Sequence, residues 1–85
     1  MGRLIQPDGT ITHHTPNAGR DWSLAELQFL IDGYVERVPT SEPIEAYCNE
    51  DGRQRRLALN PVAAVLLQTR LVGPVLVLDT PERVP

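Results

Sequence analysis

With 85 residues the chain has room for one domain at most, and a fold of this size buries only roughly 60–65% of the surface its unfolded form exposes. Hydrophobic residues at 41% and charged residues at 22% make an ordinary globular composition and exclude a disordered chain. The net charge of -3, with a pI near 5.2, excludes binding of nucleic acid through the overall field and leaves room only for a local basic patch.

In chain order, Arg3 to Gln6 and Thr10 to Thr12 flank Pro7-Asp8-Gly9, where proline presets φ and glycine accepts a positive φ, so the start reads as a β-hairpin. Residues 13–22, rich in Pro, Asn and Gly and without apolar period, read as a loop. Ser23 and Glu26 form a capping box, with Trp22 and Leu27 at the hydrophobic-staple positions, and Leu24, Leu27, Leu30 and Ile31 define a buried stripe. This predicts a helix over Leu24 to Asp32, with Gly33 as the left-handed residue past its end.

A strand follows over Tyr34 to Val38, and then a short polar connection from Pro39 to Pro43. Ile44, Ala46 and Cys48 alternate with polar residues as a half-buried strand that ends in the hairpin turn Asn49-Glu50-Asp51-Gly52. Arg53 to Leu57 are expected to pair back as a polar strand. Asn60-Pro61 then joins a favoured N-cap to a first-turn proline and predicts a second helix to about Thr69, with Val62, Val65 and Leu66 inward. Gly73-Pro74 ends it, Val75 to Leu78 form an apolar strand, and residues 79–85 read as a flexible tail.

The two halves share one order of elements, which suggests an internal repeat of a ββαβ unit. The expected fold is a single α+β domain over residues 1–85, with a mixed or antiparallel sheet of about six strands and two helices on one face. Because Val75, Leu76, Val77 and Leu78 point alternately to both faces, the second face then needs either barrel-like closure or a second copy. A homodimer or higher oligomer is the favoured expectation.

Few side chains suggest chemistry. His13-His14 point opposite ways in an extended segment and have no further His or Cys cluster to complete a metal site, so neither metal nor cofactor is expected. Cys48, the lone cysteine, reads as a buried thiol in a reducing compartment and has no local motif of a nucleophile, and Glu36, Glu45, Glu50 and Asp51 read as solvated acids. No segment approaches the ~18 apolar residues a membrane span needs, so a cytoplasmic protein is expected, in the host cell if phage-encoded.

Two surfaces remain. All eight cationic side chains are Arg, and within the run Arg53, Arg55, Arg56 the first two share one face of the expected strand, a two-pronged donor for phosphate or carboxylate, with Arg37 as a third member. Phe29, with Ala25, and Leu67 fall off the main apolar stripes of their helices. Together with Val75 and Val77 on the uncovered sheet face, they form the expected partner-binding surface.

Gly33-Tyr34-Val35-Glu36, Tyr47-Cys48-Asn49-Glu50-Asp51-Gly52, Leu57-Ala58-Leu59-Asn60 with Ala63-Ala64, and Val72-Gly73-Pro74-Val75 resemble a family of small phage, plasmid and actinobacterial proteins classed as a domain of unknown function. The resemblance implies a small accessory protein of a phage or mobile element and brings no established activity. The function expected first is therefore a non-enzymatic protein that binds and blocks a host or viral partner. The alternative is sequestration of a nucleotide or other anionic small ligand, and a nucleic-acid-associated regulator comes third.

Overall fold

Val75–Leu78, four apolar residues in a row, form a strand whose side chains are all fully shielded from water in the computed structural model, which describes residues 2–16, 22–40 and 44–78. Five strands make one sheet: β1 (Gly2–Ile5), β2 (Ile11–His14), β3 (Val35–Val38), β4 (Glu45–Asn49) and β5 (Val75–Leu78). Their order is β2-β1-β5-β4-β3 and every neighbouring pair is antiparallel. The apolar strand thus sits at the centre, paired on both sides, where a strand without polar alternation belongs.

The two helices, α1 (Leu24–Ile31) and α2 (Pro61–Leu67), lie on opposite faces of this sheet. Leu76 and Leu78 pack with Leu4, Tyr47, Trp22 and the α1 residues Leu27 and Ile31. Val75 and Val77 pack with Ile5, Ala46, Cys48 and the α2 residues Ala63 and Leu67. The expectation that both helices share one face is therefore corrected. Each face of β5 carries large apolar side chains, and one short helix per face removes both sets from water where two on one side would strand the other.

The fold is α+β, with five strands among the described residues rather than the expected six, because residues 53–57 are not a strand. Asn49 Oδ1 accepts the Asp51 N–H at 2.8 Å, Arg55 N–H donates to the Asp51 carbonyl, and Leu57 N–H donates to the Gly52 carbonyl. Arg56 N–H bonds the Arg53 carbonyl while Arg56 itself takes a left-handed φ of 53°, the pattern that closes a helical turn. An alternation of Arg, Gln and Arg offered a strand no apolar face to bury, so local bonds decide. The second half of the chain consequently lacks the second strand of a ββαβ unit.

Other boundaries shift for visible reasons. Pro7-Asp8-Gly9 forms the hairpin turn, Gly9 at φ 92° and its N–H on the Gln6 carbonyl, but β2 continues through His13 and His14, which were expected in the loop. The capping box at Ser23 is present and Trp22 and Leu27 share one core cluster, whereas Leu24, expected inside, is exposed and Asp32 rather than Gly33 takes the left-handed turn at the end of α1. In α2 the rotation is the reverse of the expected one: Ala63 is buried and Leu67 packs on the core, while Val62, Val65 and Leu66 face outward. The expected tail, residues 79–85, and residues 17–21 of the expected loop lie outside the described residues.

Candidate functional site

The arginine run is where the structure regroups the sequence most. Arg55 turns toward α1: its Nη1 donates to the Asp32 carbonyl at 2.7 Å, its Nη2 stands 3.6 Å from the Asp32 carboxylate, and the buried Asn49 amide donates to the same carbonyl at 3.2 Å. One guanidinium and one neutral amide meet the carbonyl end of α1, so Arg55 serves the fold. Arg37 stands opposite Tyr47 on the α1 side of the sheet and pairs with Glu45 at 3.7 Å. Neither joins Arg53, so the expected trio of Arg37, Arg53 and Arg55 is dispersed.

Arg53 instead meets Arg56 and Arg70 around a cleft of about 510 Å³, floored by Leu57 and Val72. Backbone pairing brings these segments together: Asn60 N–H donates to the Leu71 carbonyl at 2.8 Å, Gly73 N–H to the Ala58 carbonyl at 2.7 Å, and Leu59 bridges Val72. The turn then lies directly on Val72, since a Cβ placed on Gly52 would come within 2.8 Å of its methyl group. Arg56 stood in the run without a role, and Arg70 was missed. Only the pairing of residues 57–60 with 71–73 makes it a neighbour.

Arg53, Arg70 and Val72 also border a second cleft of about 490 Å³, which Glu36, Cys48, Asn49, Glu50 and Asp51 complete. The buried Cys48 thiol donates toward Glu36 Oε1 at 3.9 Å. Burial pushes this thiol above its ordinary value and the Glu36 carboxylate pushes it further, against a smaller lowering by Arg53. A thiol held protonated is a poor nucleophile and a poor metal ligand. Among the described residues no group of three or more His, Cys, Asp or Glu is placed to hold a metal ion.

Within the described residues no ion pair closes on Arg53, Arg56 or Arg70, all three of which are exposed. Three guanidinium groups around one apolar-floored cleft can receive an anion with several oxygens, phosphate above all, through charge-assisted and bidentate hydrogen bonds.

The expected partner-binding residues separate as well. Val75 and Val77 are 0% exposed beneath α2 and present no surface, and Leu67, half-buried, packs on the same core. Phe29 alone is open, at 84%, beside a cleft of about 380 Å³ lined by His14, Trp22, Ala25 and Leu30. No helix of the described residues is long and apolar enough to cross a membrane.

A central apolar strand in a five-stranded antiparallel sheet, one capped helix on each face and an arginine-lined cleft at the end of α2 define a small α+β domain. The chain belongs to the DUF3846 family, a domain of unknown function whose profile matches residues 4–83. No curated protein and no solved structure matches it.

Proposed function

We propose that this domain is a non-enzymatic binding protein that holds a phosphate-bearing small ligand, a nucleotide or a similar anion, in the cleft of Arg53, Arg56 and Arg70. The observation that carries the reading is the convergence of three arginines that close no ion pair among the described residues, from a helical turn and from the segment after α2. Leu57 and Val72 on the floor add an apolar contact for the uncharged part of such a ligand. The resemblance to phage, plasmid and actinobacterial proteins fits an accessory protein that sequesters a host metabolite.

Thermal unfolding against inorganic phosphate, pyrophosphate and a panel of mono- and dinucleotides, cyclic forms included, tests this. A ligand at a hundredfold its Kd stabilises by about 2.7 kcal/mol, which for a domain of this size raises Tm by roughly 10–20 °C. Loss of that shift in Arg53→Ala, Arg56→Ala and Arg70→Ala supports the site. No shift with any anion at millimolar concentration contradicts it.

A second reading, binding and blocking of a host or viral protein, rests on Phe29. An aromatic ring this exposed beside a cleft is the kind of side chain that anchors an interface. Under this reading Phe29→Ala abolishes capture of a specific host protein from lysate and leaves Tm unchanged.

A further inference from the structure

The two edges of the sheet are built differently. On β3 the edge strand carries Glu36 and Arg37 and runs directly into Pro39, charged and proline features that discourage further strand pairing. On β2 the edge reads Ile11, Thr12, His13, His14, with no Asp, Glu, Lys, Arg or Pro, and the strand is exposed along most of its length. Among the described residues nothing pairs with its outer side.

The hydrogen-bond pattern states which groups are free. Gln6 N–H donates to the Thr10 carbonyl at 2.8 Å, so Gln6 and Thr10 form a bonded pair and the register Ile5–Ile11, Leu4–Thr12, Arg3–His13 alternates from there. Thr12 faces β1, whereas Ile11 and His13 direct their backbone N–H and C=O groups outward. Two apolar side chains flank this edge, Ile11 at 45% exposure on the α2 side and Phe29 on the α1 side, where it shares a cleft with His14.

We propose that β2 pairs antiparallel with β2 of a second copy of this chain, with the two-fold axis passing between the two Thr12 residues. In that register each Ile11 lies opposite a His13 of the other copy, and all the outward backbone groups of both residues are satisfied. The sheet is antiparallel throughout, so the added strand continues the existing pattern into one sheet shared by two copies. The Ile11 and Phe29 side chains lose water beside the new strand. An edge of four residues makes a small interface, and the dimer belongs to the weak, concentration-dependent class. This mode differs from the expected pairing through an uncovered sheet face, which α2 occupies.

Sedimentation equilibrium over a wide concentration range, combined with cross-linking, decides it. The wild type is expected to rise from 9.5 kDa toward twice that mass. Ile11→Lys places a charge on the edge and His13→Pro removes only an outward donor, so both are expected to stay monomeric with unchanged far-UV circular dichroism. In a Cys48→Ala background, Thr12→Cys is expected to form an intermolecular disulfide under mild oxidation far faster than Val65→Cys, because a non-bonded antiparallel pair brings the two Cα atoms to about 4.5 Å, within disulfide reach. A wild type monomeric at every concentration, association unchanged in both folded edge variants, or faster cross-linking through Val65→Cys each overturns the proposal. Should an edge variant fail to fold, the cysteine pair decides alone, since it leaves the edge backbone intact.

Discussion

Asn60 and Ile5, 55 residues apart in the chain, are joined by a hydrogen bond from the Asn60 amide to the Ile5 carbonyl at 2.9 Å. The same amide donates to the Gly73 carbonyl at 2.8 Å, and its oxygen accepts the Ala63 N–H at 3.2 Å as the N-cap of α2. One fully buried side chain therefore fixes the end of β1, the start of α2 and the entry to β5. Its hydrogen-bonding capacity is used on both ends of the amide, which is how a polar group is tolerated in a core.

Asn60→Ala removes the cap and takes one donor from each of two buried carbonyls, at about 1 kcal/mol for the cap and about 1–2 kcal/mol for each lost bond. The expected loss of roughly 3–5 kcal/mol is comparable with the whole stability of a small domain. Urea unfolding is predicted to show a variant largely unfolded at room temperature.

Arg55 and Arg53 are two residues apart and predicted to behave oppositely. Arg55→Ala loses the carbonyl bond and a largely exposed ion pair with Asp32, for about 1 kcal/mol of stability, and keeps anion affinity. Arg53→Ala keeps stability within about 0.5 kcal/mol and loses affinity. Chemical denaturation paired with calorimetric titration separates the two.

The rotation of α2 is checked by a pair of substitutions. Ala63 is completely enclosed against β5, so Ala63→Leu overpacks the interface and costs about 1–3 kcal/mol. Val65 is 79% exposed, and Val65→Glu is predicted to change stability by no more than about 0.5 kcal/mol. Had Val62, Val65 and Leu66 faced the sheet, the order of these effects would reverse.

Cys48 gives the fold an alkaline sensitivity. Because burial raises its thiol above the unfolded value, the folded protein retains a proton that the unfolded chain releases. The stability this contributes is fully present below the ordinary thiol range and is lost as pH rises through the folded value. Tyr47, raised by burial and by Glu45, adds the same sign at higher pH. Tm is predicted to fall more steeply from about pH 8 to about pH 10 in the wild type than in Cys48→Ala.

What could be read in the sequence was whatever local bonds or short spacings determine. The Ser23 capping box, the Asn60-Pro61 helix start, the Pro7-Asp8-Gly9 turn and the two-faced apolar strand Val75 to Leu78 are all of this kind. The rotation of α2 was not legible, because Pro61 to Leu67 is apolar at every position and carries no phase; it is set by the long-range bonds of Asn60. The arginine cleft was half legible. Arg53 and Arg56 stand in one run, but strand alternation grouped Arg53 with Arg55, whereas a helical turn sends Arg55 to Asp32 and leaves Arg53 beside Arg70.

Titration of uniformly ¹⁵N-labelled protein with pyrophosphate, followed amide by amide, tests the central claim most directly. Shifts confined to the turn of residues 53–57 and to residues 70–72, saturating with added ligand and absent in Arg53→Ala, are the predicted result. Shifts centred on Arg37 or scattered over the surface, or none at millimolar pyrophosphate, would contradict an anion site formed by Arg53, Arg56 and Arg70.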